Sequence, residues 1–182
     1  MYDTKNSETK SQKQVQSLIC TAKVEHAPDI VSIQRASWRH AYPKPLIDAL
    51  LSNLPISVHR QMWAERVQSQ QLKTVVIFDT QTELACGFAM YELQNMSCEV
   101  HALYLPPKHI GHGYGRSLLE FIKETAGAAY CSELRLWVME DNSEAIGFYQ
   151  HLGLNLCGVT QVQKHFGKAY RKCLMNQDLL SV

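Results

Sequence analysis

The sequence lacks any apolar run long enough to cross a membrane. Its longest apolar stretches, such as residues 75–78, have the length of a strand, whereas a membrane-spanning helix needs about 20 residues. Residues 1–17 also lack the apolar block of a secretory signal, because Lys5, Lys10 and Lys13 interrupt them. These two absences predict a cytoplasmic protein that has no membrane partner.

A surplus of either charge is also missing. The 182 residues carry 18 Lys and Arg against 17 Asp and Glu, so the net charge is +1. Proteins that bind nucleic acid usually carry a basic excess. We interpret the one basic cluster as a solvated face; it consists of Lys164, Lys168, Arg171 and Lys172. The sequence therefore predicts no nucleic-acid partner and does not favour an RNA-binding protein.

Paired cysteines are absent, and so is a plausible set of metal ligands. The six cysteines stand singly in apolar segments without a CxxC pair, which predicts reduced and mostly buried thiols. Cys98 and His101 lie three residues apart in a predicted strand, so their side chains point to opposite faces. His109 and His112 have no third ligand nearby in the sequence. No metal site is predicted.

What is present fits one domain with a short appendage. Residues 1–17 are polar without periodicity, which is typical of a disordered tail, and residues 18–182 are expected to form the domain. Helical spacing of apolar residues covers about 28–42, 46–54, 57–68, 118–129 and 143–152. Strand patterns cover about 18–24, 74–79, 84–93, 97–105, 133–139, 154–162 and 169–174. The predicted fold class is α/β with mixed α+β character: a twisted mixed sheet of about six to seven strands flanked by about four helices.

A glycine-rich turn lies between a predicted strand and a predicted helix, at Ile110 to Arg116. Its alternating glycines, Gly111, Gly113 and Gly115, let backbone N–H groups approach a ligand, and the following helix adds the positive end of its dipole. The turn suits phosphate, although a plain strand-to-helix turn remains an alternative. Its spacing differs from a Walker A loop and from a dinucleotide GxGxxG fingerprint.

Two blocks of sequence resemble the GNAT N-acetyltransferase superfamily. The first is HALYLPPKHIGHGYGRSLLEFI and the second is LRLWVMEDNSEAIGFYQHLG, and they stand in the family's order and at its spacing. The resemblance implies a single-domain GNAT-like fold and acetyl-CoA as co-substrate, without a metal. It implies cofactor-binding residues in the strand, the glycine loop and the following block: Leu103, Tyr104, Leu105, Ile110, Gly111, His112, Gly113, Tyr114, Gly115, Arg116 and Asn142. Ile110 stands where the family has Gln or Arg.

Three residues are candidates for catalysis. Strict alternation places Glu99, His101, Leu103 and Leu105 on one face of their strand, so Glu99 and His101 share a space. By resemblance this strand faces the acceptor near its start, which makes Glu99 the first candidate base, through water, and His101 the second. Tyr149 matches the family's tyrosine that hands a proton to the thiolate of coenzyme A. As structural alternatives, Glu99 is a solvated residue, Tyr149 is a core aromatic, and Asn142 lies within a capping box formed by Asp141 and Glu144.

The resemblance predicts an acyltransferase that acetylates a primary amine of a small molecule or peptide directly, without a cysteine nucleophile. A non-catalytic acyl-CoA-binding regulatory module is the alternative. The segment between Lys73 and Lys108 has no Lys or Arg, and its acids are expected to face a cationic acceptor: Asp79, Glu83, Glu92 and Glu99. The identity of the amine stays open, as does a homodimer.

Overall fold

The structure is a computed structural model that describes residues 16–165 and 168–180, so residues 1–15 of the predicted tail lie outside the described residues. The strands within this range are β1 (Ser17–Thr21), β2 (Leu72–Asp79), β3 (Ala85–Gln94), β4 (Ser97–Tyr104), β5 (Glu133–Met139), β6 (Asn155–His165) and β7 (Lys168–Asp178). The helices are α1 (Ala27–Ala41), α2 (Lys44–Ser52), α3 (Ile56–Arg66), α4 (Tyr114–Ala128) and α5 (Ser143–His151). Single 3-10 turns, Val24–His26 and Pro107–His109, precede α1 and the glycine loop.

The strands form one mixed sheet in the order β1-β2-β3-β4-β5-β7-β6. Only β4 and β5 are parallel, because the chain between them crosses over through α4. The predicted mixed α/β fold is confirmed, with five flanking helices in the described chain rather than about four. None of the helices in the described ranges is long and apolar enough to cross a membrane.

The parallel strands β4 and β5 separate part of the way along their length. They are paired from Ser97 opposite Glu133 to Val100 opposite Leu136, and β4 then continues to Tyr104 without β5 as a partner. Beyond this point β4 pairs only with β3 on its other side. The sheet therefore has a wedge-shaped gap in its middle, with unpaired backbone along one side.

Helices cover the two faces of the sheet unequally. On one face, α4 and α5 pack over strands from β2 to β7 and form the larger core, which includes Leu118, Leu136 and Met175. On the other face, α1 and α3 pack over β2, β3 and β4 around Trp63 and Phe88. Among the described residues this second core takes none from β5, β6 or β7. That half of the face is left open beside the gap.

A β-bulge at His101 changes the faces of β4. Tyr91 of β3 pairs with Val100, but the next residue, Met90, pairs with Ala102, so His101 has no partner across the strand pair. Val100 consequently packs under α4, whereas Ala102 packs under α1. The prediction from strict alternation is wrong: Leu103 and Leu105 pack toward α4, on the face opposite Glu99.

The start of α3 also differs from its prediction. The sequence pattern begins this helix at about residue 57, whereas its N-cap is Pro55, and its buried face is formed by His59 and Trp63. Val58 and Met62, two apolar residues of the helical pattern, are 48% and 40% exposed. The helix is anchored by a polar network instead of an apolar stripe, because Gln34 Oε1 accepts hydrogen bonds from both buried rings.

Candidate active site

The glycine loop presents a row of free backbone donors. Gly111 and Gly113 have φ values of +81° and +88°, which turn the backbone into a conformation that other residues rarely adopt. Within the described chain, no N–H group from Gly111 to Arg116 donates to another protein group; the first bonded one in α4 is that of Ser117. Six consecutive free donors at a helix N-terminus suit a diphosphate.

Ile110 does not belong to this row. Its N–H group donates to the Pro107 carbonyl at 3.2 Å, and its side chain is 48% exposed. The prediction that backbone from Ile110 onward binds phosphate therefore needs correction: the free donors begin at Gly111. The missing Gln or Arg leaves an apolar side chain at the edge of the loop.

Tyr114 fixes the loop from inside. Its side chain is buried, and its hydroxyl donates a 2.5 Å hydrogen bond to Asp79 Oδ2. The N–H groups of Gln81 and Thr82 donate to the other carboxylate oxygen. The Tyr114 bond is the main reason that the pKa of Asp79 falls to about 2, and the two turn N–H groups add to it. Asp79 thus fixes the glycine loop. Its position in the sequence had suggested instead that it faces a cationic acceptor.

The charged side chains of the loop point outward. His112 and Arg116 are exposed, and His112 Nδ1 donates to the Ile110 carbonyl at 3.0 Å. Arg116 has no ion-pair partner among the described residues. Arg116 is therefore available to an anionic ligand, and His112 retains one ring nitrogen for the same use.

The end of β4, with its unpaired backbone, borders the gap between β4 and β5. Ser37 of α1 donates to the Leu105 carbonyl at 2.8 Å and fixes this end of the strand. Tyr104 packs toward α1 against Phe88, with ring centroids 5.5 Å apart, while Leu105 packs toward α4. A Cβ at Gly115 would lie 3.0 Å from Leu105 and 3.1 Å from Phe148, so α4 approaches the gap closely only because this residue is glycine.

Tyr149 of α5 lies beside the gap on the α4 side. It is 9% exposed, and no hydrogen bond to its hydroxyl occurs in the described part of the chain. Burial raises the pKa of Tyr149 above its usual value, and the nearby Tyr104 raises it further. The phenol therefore stays protonated at neutral pH with an unused donor.

Asn142 has a structural role that the sequence assigned to another residue. Its Oδ1 accepts the Ala145 N–H at 3.0 Å, so Asn142 is the N-cap of α5. The predicted capping box between Asp141 and Glu144 is wrong by one position. The Asn142 amide NH2 group is left over from the cap and can donate to a ligand.

An acidic cluster lies on the other side of the gap. His101 Nε2 is 3.3 Å from Glu92 Oε2, and its Nδ1 is 3.7 Å from Glu99 Oε1. The two carboxylates belong to residues that face each other across β3 and β4. Gln71 donates to Glu92, and this bond is the main cause of its lowered pKa. Arg135 donates to Glu99 at 2.9 Å. The predicted proximity of Glu99 and His101 is confirmed, because alternation holds as far as His101 and the bulge changes only the residues after it.

A cavity of about 300 Å³ opens next to this cluster, on the face that α1 and α3 leave uncovered. Four elements supply its lining: Glu99, Val100 and His101 from β4, Trp137 from β5, Gln161 and Gln163 from β6, and Lys172 from β7. Sequence reasoning missed every residue outside β4. Lys172 was assigned to a solvated basic face, but it is half-buried and lines the cavity. The alternation of Lys172 with buried Cys173 and Met175 was the available signal.

Cys98 faces away from the cavity. It is fully buried in the core under α4, and burial raises the pKa of its thiol to about 12. A thiol that stays protonated and has no access to the cavity cannot attack a substrate there. The prediction that Cys98 and His101 point to opposite faces of the strand is confirmed.

The sequence profile of the Acetyltransferase (GNAT) family matches residues 28–154, which include the gap, the glycine loop and the acidic cluster. The chain belongs to this acetyltransferase family. It is also 29% identical, over 134 residues, to the uncharacterized N-acetyltransferase YuaI of Bacillus subtilis, covering 71% of this chain and 75% of that one. The predicted resemblance to GNAT proteins is confirmed.

Solved structures of other GNAT proteins share this fold. The PaiA N-acetyltransferase of Thermoplasma acidophilum, in complex with coenzyme A, superposes with a TM-score of 0.70 at 19% identity, over 89% of this chain and 98% of that chain. The ribosomal-protein-S18-alanine N-acetyltransferase of Escherichia coli gives 0.69 at 18% identity, over 91% and 96%. At these identities the comparison establishes the fold alone.

Proposed function

We propose that this GNAT protein transfers the acetyl group of acetyl-CoA directly to a primary amine, and that residues 18–182 form its catalytic domain. One observation carries the proposal: the gap between β4 and β5 connects the free N–H groups of the glycine loop and Tyr149, on one side, with the acidic cavity on the other. A thioester held in the gap would face an amine held in the cavity.

The loop supplies the binding site for coenzyme A. The free N–H groups of Gly111 to Arg116 bind its diphosphate, and the exposed Arg116 side chain adds a positive charge. The leftover Asn142 amide group binds the pantetheine arm, since α5 begins at the other edge of the gap. The coenzyme A bound to the Thermoplasma protein supports this assignment through the common fold.

The acidic cluster takes the proton from the ammonium group of the acceptor. His101 is the residue whose two ring nitrogens face carboxylates, Glu92 at 3.3 Å and Glu99 at 3.7 Å, so it links the two acids within one cluster. Glu99 also binds Arg135, which fixes its orientation. We therefore assign the base to the Glu92, His101 and Glu99 unit, with a water molecule as an allowed link to the amine.

Two groups at the gap complete the chemistry. The unpaired edge of β4, at Leu103 to Leu105, offers backbone N–H groups to the oxygen that becomes negative when the amine attacks. Tyr149 donates its hydroxyl proton to the departing thiolate, and its raised pKa keeps the phenol protonated at neutral pH before the reaction.

A screen of acetyl-CoA with small amines, amino acids and peptides, read by thiol release, tests the proposal. Acetylated product with at least one amine, and slower turnover in both Tyr149→Phe and Glu99→Gln, are the expected results. Unchanged turnover in both variants would overturn the residue roles. Binding of acetyl-CoA by calorimetry without turnover of any amine would favour a non-catalytic acyl-CoA-binding module.

A further inference from the structure

Lys172 is a cation in the cavity without a partner. Its side chain is half-buried and lines the cavity, yet within residues 16–165 and 168–180 it makes no hydrogen bond or ion pair. Burial without a counterion lowers its pKa. A charged amine that is partly removed from water and left unpaired is costly, so an anion at this position would relieve the cost.

The two signs of charge are separated within the cavity. Glu99 and the adjacent Glu92 lie at the β4 end. Lys172 lies on β7, two strands from β4 in the sheet, with β5 and its Trp137 between them. The acids already have their own partners: Glu99 binds Arg135 and His101, and Glu92 binds Gln71 and His101. Lys172 is therefore not needed to neutralise them. It is a second, positive end of the same cavity.

Resting on the proposed function, we infer that the amine acceptor also carries an anionic group, a carboxylate or its equivalent, which Lys172 binds while the amine faces Glu99 and His101. A small amino acid has this pair of groups. A polyamine has a second positive charge instead, which would meet the Lys172 ammonium with no anion to offset it.

The rest of the cavity fits a small molecule of this kind. Its volume of about 300 Å³ is at the lower limit of ordinary ligand pockets. Trp137 offers an apolar surface between the two charged ends, while Gln161 and Gln163 offer amide groups on the Lys172 side. Amide groups can donate to a carboxylate beside the ammonium.

Acceptor pairs that differ only in the anionic group provide the test. We suggest straight-chain amino acids from β-alanine to 6-aminohexanoate, each compared with its neutral primary amide, together with diamines of the same length. The chain length sets the distance between the amine and the anion, and the amide removes the charge while it keeps the shape. kcat/KM for each acceptor is measured at saturating acetyl-CoA.

Lys172→Gln, Lys172→Arg and Lys164→Gln are the matched variants. Lys164 neighbours the cavity residue Gln163 on β6 but is exposed on the other face, so its substitution removes the same charge outside the cavity. Wild-type protein should prefer one acid over its amide by about 10-fold or more, as expected for a charge-assisted hydrogen bond. The preference should fall toward one in Lys172→Gln, persist in part in Lys172→Arg, and be unchanged in Lys164→Gln.

The outcomes separate the inference from the proposed function. Equal or better turnover of amides or diamines by the wild type would overturn the inference and leave the acetyltransferase in place. If no amine is acetylated, the proposed function fails. Calorimetric titration of the amino acids into protein saturated with coenzyme A then decides the role of Lys172. Binding that is weakened by Lys172→Gln supports an anion subsite, and binding that is absent or unaffected overturns it.

Discussion

The Tyr114 hydroxyl donates to Asp79 Oδ2 at 2.5 Å and joins the glycine loop to the turn after β2. The two residues are distant in sequence, and neither side chain needs to touch a ligand for the bond to matter. Because the N–H group of Tyr114 is one of the free loop donors, the orientation of its side chain bears on the donors beside it. Asp79 is therefore a positioning residue for the loop.

Tyr114→Phe should weaken the binding of acetyl-CoA. Loss of this hydrogen bond frees the buried ring and leaves the loop donors less well oriented, so we expect Kd and KM for acetyl-CoA to rise about 3- to 10-fold. KM for the amine should hardly change. Tyr130→Phe is the control, because Tyr130 follows the other end of α4 and is 81% exposed. A Kd for acetyl-CoA equal to that of the wild type would contradict the positioning role.

Tyr149→Phe should lower kcat and leave KM for acetyl-CoA within about threefold. The substitution removes only the hydroxyl group and keeps the ring. General acid catalysis contributes about 100-fold or more to the reaction rate. Steady-state kinetics with an acetylated acceptor, with Tyr130→Phe as the matched control, measure the effect. If Tyr149→Phe turns over as fast as the wild type, another group protonates the thiolate.

His101→Gln and Glu99→Gln should each lower kcat/KM for the amine, with the larger loss, about 100-fold, in His101→Gln. His101 lies between two carboxylates, whereas Glu99 also binds Arg135. Since the two residues act as one unit, the double variant should lose little more than His101→Gln alone.

Glu83→Gln is a suitable control for these acids, because Glu83 is exposed in the turn between β2 and β3. It removes the same charge at a distance from the cavity. Independent, multiplicative losses in the double variant would show that His101 and Glu99 do not share the proton.

His59 should make the protein less stable as the pH falls from 6.5 to 4. Burial is the main reason that its pKa falls to about 4, and Arg35 and Arg66 add to it. In this interval the unfolded chain binds a proton that the folded chain does not, so the free energy of unfolding falls with pH, by up to about 3 kcal/mol in total. Above pH 6.5 both states are neutral at this residue, and the effect ends.

Denaturant unfolding at several pH values measures this dependence. His59→Gln should be less stable at pH 7, because the hydrogen bond to Gln34 and the stacking on Trp38 are lost or changed. Its free energy of unfolding should vary less between pH 6.5 and 4 than that of the wild type or of His40→Gln, an exposed control. Parallel curves for all three proteins would rule out His59 as the cause.

Most of the sheet could be predicted from the sequence, because local patterns determine it. β5 begins at Glu133 and ends at Met139, as predicted, and the parallel pairing follows from the helical crossover between β4 and β5. The glycine spacing favoured a phosphate-binding turn at Ile110 to Arg116 but left a plain turn as an alternative, and the resemblance to the GNAT family supplied the assignment to coenzyme A. The helix caps were less accurate. Asn142 caps α5 although the adjacent Asp141 has an equally suitable side chain, and α3 begins after Pro55, whose side chain makes no capping hydrogen bond.

The acceptor cavity could not be predicted, since its residues meet only through long-range pairing. One extra residue in β4 moves Leu103 to the face opposite Glu99, and nothing in the pattern of side chains marks His101 as that residue. Lys172 reaches the cavity because β7 inserts between β5 and β6 in the sheet. Because Arg171 and Lys168 lie near it in the sequence, Lys172 was interpreted as part of a solvated basic face.

The position of β7 between β5 and β6 also affects the order in which the protein is made. β5 remains an exposed edge until residues 168–178 have been synthesised, although β1 to β4, the glycine loop and α4 are already available for folding. An unpaired edge beside an apolar core is prone to pair with other chains. Chains interrupted before β7 should therefore aggregate or be degraded. The strand that supplies Lys172 to the cavity is thus also the strand that covers the exposed edge of β5.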